Sequence, residues 1–264
     1  MYDGDDPRSA ADLAGRLRRA FHAGELTAYF QPQYDIKSRR VVALEALCRW
    51  LHPEHGVLLP DRFIDVAERY GLIAELGKVM LDDSGRRVAQ WHRRGVNVGL
   101  SLNVSPTELV PEFAARILRR LRELELPYQA MTIEITESPE ITYAYDEMAT
   151  LDALIDGGVG VSIDDFGIGN TSLKLVRRLP LTEIKIDKSL VHEDTPAVDD
   201  LAEECIAIAH ERRARVVAEG IETQEHFDRA ARWGCDRAQG YFFSPPLPAD
   251  EIEPLLVAET GDAA

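Results

Sequence analysis

Cysteine is scarce in this chain: Cys48, Cys205 and Cys235 are the only three in 264 residues. No CxxC pair joins them, so neither a disulfide framework nor a cysteine-based zinc site is on offer, and a reducing compartment is implied. Long apolar runs are missing too. Nothing approaches the length of a membrane span, and the opening MYDGDDPRSAAD is no secretory signal. The chain therefore reads as cytoplasmic, with no membrane contact of its own, although a longer parent protein could be anchored. Basic residues are in deficit, 30 against 46 acidic, for a formal charge of −16. That excludes a general nucleic-acid binder, which needs Lys and Arg to displace phosphate counterions. An anionic substrate can still bind where metal ions reverse the field inside a cleft. Internal repeats and low-complexity segments are also lacking.

What is present is an alternation. Residues 1–12 read as a polar linker, and Leu13, Leu17, Ala20 and Phe21 then recur at helical spacing, with Gly24 as the stop. Residues 27–36 and 41–50 are two β-rich runs joined by a short polar turn, which predicts an antiparallel hairpin. Six further strand candidates follow, at 97–104, 131–136, 159–166, 183–187, 215–220 and 235–241, separated by helical patterns. Strand–helix alternation indicates a parallel sheet with crossover helices, and eight strands suit a barrel. The fold expected is an α/β modified TIM-type (β/α)8 barrel with one antiparallel strand from the opening hairpin. Its expected divisions are a linker and lead-in helix over 1–25, the barrel over 26–250 and a tail over 251–264, frayed after Pro254.

In such barrels the chemistry sits at the C-terminal strand ends. There this sequence places Asn103, Glu134, Glu137, Asp164, Asp165, Lys185, Asp187, Glu219, Glu222 and Gln239, while Glu45 lies inside the second strand with Arg49 nearby. Any one acid is consistent with a solvated strand end or a helix cap, as Asp187 before Lys188 and Ser189 illustrates. Together they aim many carboxylates at one point, where repulsion is costly without cations. Oxygen ligands of this kind select hard ions, Mg2+ or Mn2+. The adjacent Asp164 and Asp165 suit two ions about 4 Å apart, the arrangement of a two-metal phosphoester hydrolase.

Glu45-Ala46-Leu47 stands in the setting YFQP…ALEALCRWLHPEHG. The blocks SLNVSP (101–106), IEITES (133–138), DDFGIGNTSL (164–173), IKIDKSLV (184–191), VVAEGIET (216–223) and AQGYFFSPPLP (238–248) follow in order. This series resembles the EAL family of cyclic di-GMP phosphodiesterases over most of the chain. The resemblance implies hydrolysis of cyclic di-GMP to linear pGpG with two divalent ions, Mg2+ or Mn2+. It implies Glu45, Asn103, Glu134 and Asp164 as ligands of one ion. Asp164, Asp165 and Glu219 would hold the other, with Asp187 close by. Lys185 looks like the residue that orients the attacking water, and Glu219 like the general base. Gln31 and Arg49 resemble substrate contacts, Glu222 and Gln239 supporting contacts, and Glu137 the anchor of the loop after Asp164-Asp165. That loop departs from the family's G-T-G-Y-S-S, carrying Ile168 and Asn170, which implies altered activity or regulation. The alternative is a catalytically weak or inactive domain serving as a cyclic di-GMP receptor or interaction module. A homodimer, and a GGDEF or sensor domain in a longer parent, are further implications. His52 and His55 read as loop residues, and His92, His192, His210 and His226 as surface ones.

Overall fold

A computed structural model of the protein describes residues 7–136, 145–167 and 173–261. The first helix, α1 (Pro7–Ala23), buries Ala10, Leu13, Ala14, Leu17 and Ala20 along one face, the spacing of an amphipathic helix. It starts at Pro7, so residues 7–12 are helical where a linker is expected; proline is tolerated in a first turn, whose N–H groups have no helical partner. Gly24, at φ 70°, closes it in the left-handed conformation that suits glycine.

Strands β1 (Leu26–Asp35) and β2 (Val41–His52) form the expected hairpin. Its turn is tied by the Asp35 carboxylate, which accepts from the Ser38 N–H at 2.7 Å. The resulting register sets Gln31 directly opposite Glu45. A short β3 (Gly56–Leu58), absent from the expectation, pairs with the end of β2. Then come α2 (Ile64–Arg69), α3 (Ile73–Arg93), β4 (Gly99–Val104), α4 (Pro111–Glu123), β5 (Met131–Thr136), α5 (Tyr145–Asp156), β6 (Gly160–Phe166) and α6 (Leu173–Arg178). The chain continues through β7 (Glu183–Ile186), α7 (Lys188–His192), α8 (Pro196–Glu211), β8 (Arg215–Ala218), α9 (Gln224–Trp233), β9 (Arg237–Gln239), β10 (Leu247–Pro248) and α10 (Ala249–Gly261). Helix α10 runs through Pro254 with Ile252 and Leu256 buried, so a helix stands where the frayed tail is expected.

The sheet closes into a barrel of eight strands. β2 and β4 through β9 lie side by side in parallel, and β1 completes the ring antiparallel to both β2 and β9. β3 and β10 only extend its rim. The alternation along each strand explains both faces. Ile133 and Ile135, Val161 and Ile163, Ile184 and Ile186 are buried on one side. On the other, Thr132 and Glu134, Ser162 and Asp164, Glu183 and Lys185 are buried as well. Barrel interiors are usually filled by branched apolar side chains; this one is polar at two successive levels. At the lower level Arg237 Nη1 donates to Gln33 Oε1 and Glu183 Oε2, both at 3.2 Å, and Arg215 Nε donates to Glu183 Oε2 at 3.1 Å. The upper level is the candidate site.

Candidate metal centre

Lys185 occupies the centre of the upper level. Its ammonium lies 2.8 Å from Glu219 Oε1, 2.9 Å from Glu134 Oε2, 3.2 Å from Asp164 Oδ1 and 3.3 Å from Glu45 Oε2. These five side chains come from β2, β5, β6, β7 and the turn after β8, so only barrel closure brings them together. Asn103, beside Glu134 in the β4–β5 register, donates from Nδ2 to Glu45 Oε1 at 2.7 Å. Gln239 Nε2 donates to Glu45 Oε2 at 2.6 Å and to Gln31 Oε1 at 3.1 Å. Gln31 in turn donates to the Ser244 carbonyl at 3.4 Å. Glu45 is thus gripped from three directions.

The charges do not balance. One ammonium faces four carboxylates, with Asp165 and Asp187 next to them. For Glu45 the burial cost is outweighed by Lys185, Gln239 and Asn103, which hold its carboxyl below the usual range. Burial dominates at Glu134 and Glu219, lifting both well above that range despite Lys185. Asp165 is pushed up to about 6 by burial and by the neighbouring Asp164 and Asp187. Lys185 goes the other way: burial disfavours its charge, but Asp164, Glu134, Glu219 and Glu45 outweigh that and keep it a cation. The cluster can bear its negative charge only by taking up protons or cations.

Its geometry fits cations. Oxygen atoms of Glu45, Glu134 and Asp164 lie within 4.8 Å of one another, as do those of Asp164, Asp165 and Glu219. Asp164 belongs to both groups, so two ions could share it. Among the described residues, the buried Glu134 Oε1 finds no hydrogen-bond partner, a costly state for a carboxylate oxygen unless something coordinates it. All the donors are oxygens, as Mg2+ or Mn2+ prefers. Asp165 sits at φ 60°, and its N–H donates to Asp164 Oδ1 at 3.0 Å. This left-handed turn lets adjacent acids serve one centre. Asp187 caps α7, its Oδ1 accepting from the Ser189 N–H at 2.8 Å, and lines the same cleft. Asp187 thus caps a helix and borders the cleft at once.

Above the acids opens a cavity of about 360 Å3 lined by Gln31, Glu45, Asp165, Asp187, Glu219, Glu222 and Gln239. Lys188 and Tyr241 line it as well. Neither stands among the sequence-derived candidates, although Tyr241 lies in the quoted block AQGYFFSPPLP. Arg49 is not part of that lining. Its Nη1 donates to the Cys48 carbonyl at 2.8 Å, and its guanidinium lies 5.4 Å from the Tyr29 ring centre. Glu137 and the loop residues Ile168 and Asn170 fall outside the described residues. At the rim of β2, His52 and His55 stack at 4.6 Å, and Glu54 between them binds Arg16 at 2.8 Å.

A family model for the EAL domain matches residues 14–246. The bifunctional diguanylate cyclase/cyclic di-GMP phosphodiesterase MucR of Pseudomonas aeruginosa is 33% identical over 244 residues, 89% of this chain and 35% of its own length. The cyclic di-GMP phosphodiesterase NbdA of the same organism is 37% identical over 259 residues, 94% of this chain and 32% of its own. This chain spans about a third of the length of these relatives. Among solved structures, the MucR phosphodiesterase in its c-di-GMP complex superposes with a TM-score of 0.84 at 31% identity, covering 91% of this chain and 99% of that one. The FimX EAL domain of Xanthomonas citri, at 19% identity and a TM-score of 0.83 over 93% of this chain and 97% of that one, shares the fold. With the match running from α1 through β9 and taking in every described acid of the centre, the chain belongs to the EAL domain family.

Proposed function

We propose that this domain is a metal-dependent phosphodiesterase that hydrolyses cyclic di-GMP to linear pGpG. The names of its relatives support that substrate. The observation that carries the proposal is local: four carboxylates crowd one buried ammonium, and Glu134 Oε1 has no hydrogen-bond partner among the described residues. An uncompensated buried acid cluster is a poor device for stability and a good cage for divalent ions.

On this proposal Glu45, Asn103, Glu134 and Asp164 hold one ion. Asp164, Asp165 and Glu219 hold a second, with Asp187 beside it. Bound Mg2+ or Mn2+ would supply Lewis-acid polarisation of a phosphate oxygen and a more acidic water. The chain's own groups do the rest. Lys185 fixes Glu219 and Asp164 and orients the attacking water. Glu219 takes the proton as the water oxygen bonds to phosphorus and one ribose oxygen leaves. That oxygen acquires a proton, the ring opens, and the sum is addition of one water. Arg49 has one N–H committed to the Cys48 carbonyl, which leaves the others for a phosphate oxygen. Gln31, Glu222 and Gln239 contact the nucleotide from the cavity wall. The domain acts as a homodimer in the cytoplasm, within a longer parent bearing a GGDEF or sensor domain. Incubation with cyclic di-GMP and Mg2+ or Mn2+, followed by chromatography, tests the activity. Formation of pGpG is expected; tight binding with no product would favour the receptor alternative.

A further inference from the structure

Two histidines that the sequence leaves on the surface meet beneath the turn that carries Glu219 and Glu222. His192 ends α7 and His226 lies in the first turn of α9; their rings stack at 4.3 Å with planes 26° apart. Each ring holds one peptide group of the turn between β8 and α9. His192 Nε2 lies 2.7 Å from the Gly220 carbonyl, and His226 Nδ1 lies 3.4 Å from the Glu222 N–H. A carbonyl can only accept and an N–H can only donate. His192 is therefore protonated at Nε2, and His226 keeps a lone pair at Nδ1.

The other contacts of the turn make this grip matter. Gly220, at φ 61°, packs so closely on α7 that a Cβ there would lie 2.2 Å from Lys188 Cβ. Thr223 caps α9 by accepting from the His226 N–H at 3.1 Å. Ile221 is anchored on the barrel side through the Gln239 carbonyl at 3.0 Å. Helix α7 thus touches the turn at both ends, through Lys188 and through His192, and α9 holds it through Thr223 and His226. On the proposed assignment of Glu219 and Glu222 to the site, we propose that His192 and His226 form a stacked clamp that positions this turn for catalysis. They are positioning residues; neither is among the residues lining the cavity.

The test uses the full chain with cyclic di-GMP and Mn2+, comparing His226→Leu and His226→Gln. Leucine keeps bulk and removes the acceptor, whereas glutamine restores an acceptor oxygen. A misplacement of about 1 Å can cost up to about a hundredfold in rate. His226→Leu is expected to lower kcat about tenfold or more with KM changed less than about threefold, and His226→Gln to recover most of that loss. Two readings are independent of turnover. Nitrogen NMR of the native protein should show an unprotonated Nδ1 on His226, and exchange of the Glu222 amide should quicken in His226→Leu but not in His226→Gln. A protonated Nδ1, or equal amide exchange in all three proteins, overturns the clamp. A clamp visible by NMR in a native protein that makes no pGpG would instead count against the proposed hydrolase.

Discussion

Lys185 Nζ lies 2.9 Å from Glu134 Oε2, and both side chains are closed to solvent. The pair joins β5 to β7, strands separated by β6, inside the barrel. Breaking a buried ion pair from one side typically costs about 3–5 kcal/mol, because the remaining charge is stranded. Here Lys185 also faces Glu45, Asp164 and Glu219. Lys185→Met is expected to lower stability in chelator by an amount of that order, as read by urea denaturation. In Ca2+ its affinity for cyclic di-GMP should stay within about threefold of native while turnover in Mn2+ falls about a hundredfold or more. Parallel loss of affinity and turnover would make Lys185 a binding residue.

Asp164 belongs to both acid groups, Glu134 to one. Asp164→Asn should therefore abolish or weaken both metal-binding events in a calorimetric Mn2+ titration. Glu134→Gln should weaken one, by about tenfold or more, about 1.4 kcal/mol. Native protein should gain stability on metal addition by mass action, about 2.7 kcal/mol at a free concentration about 100 times Kd. Equal effects of the two substitutions would remove Asp164 from its bridging position.

How far the sequence discloses this centre depends on the kind of contact. Acids at strand ends are legible because a parallel barrel sends those ends to one mouth, so Glu134, Asp164 and Glu219 converge as expected. The same rule sends Lys185 to that mouth, but its ion pairs with four of the acids are not legible, since they require knowing how β2, β5 and β7 face one another inside the barrel. The Gln31–Gln239–Glu45 chain joins residues about 200 positions apart through closure of β1 on β9, which no local pattern records. The His192–His226 stack is hidden for a similar reason: each residue alone looks like a helix-surface histidine. Residues 7–12 and the stretch after Pro254 are read as unstructured from their polarity and proline, whereas packing of α1 and α10 on the barrel outweighs both.

Glu108 offers a test of burial away from the centre. It ends the one-turn helix Pro106–Glu108, is 6% exposed, and faces Arg116 at 3.8 Å, with the Ser105 backbone and Lys78 also favouring its charged form. Burial pushes its carboxyl up to about 7, against the opposing pull of Arg116. The folded state thus binds this proton more tightly than the unfolded chain. Stability is therefore undiminished below the unfolded value of about 4.3 and declines as pH rises toward 7. Glu108→Gln removes that decline. In urea denaturation the variant should gain on native protein between pH 5 and pH 8, by about 2 kcal/mol. An unchanged difference at the two pH values would show that Glu108 carries no such penalty.

Whether the acid cluster around Lys185 works as a metal-dependent hydrolase is read from its product. Purified native chain and Glu45→Ala are incubated with cyclic di-GMP and Mg2+ or Mn2+, and pGpG is separated by chromatography. A metal-dependent hydrolase yields pGpG from the native chain and none from Glu45→Ala, with both proteins folded by circular dichroism. Undiminished product from Glu45→Ala, or cyclic di-GMP bound by native protein and never opened with either metal, would contradict it.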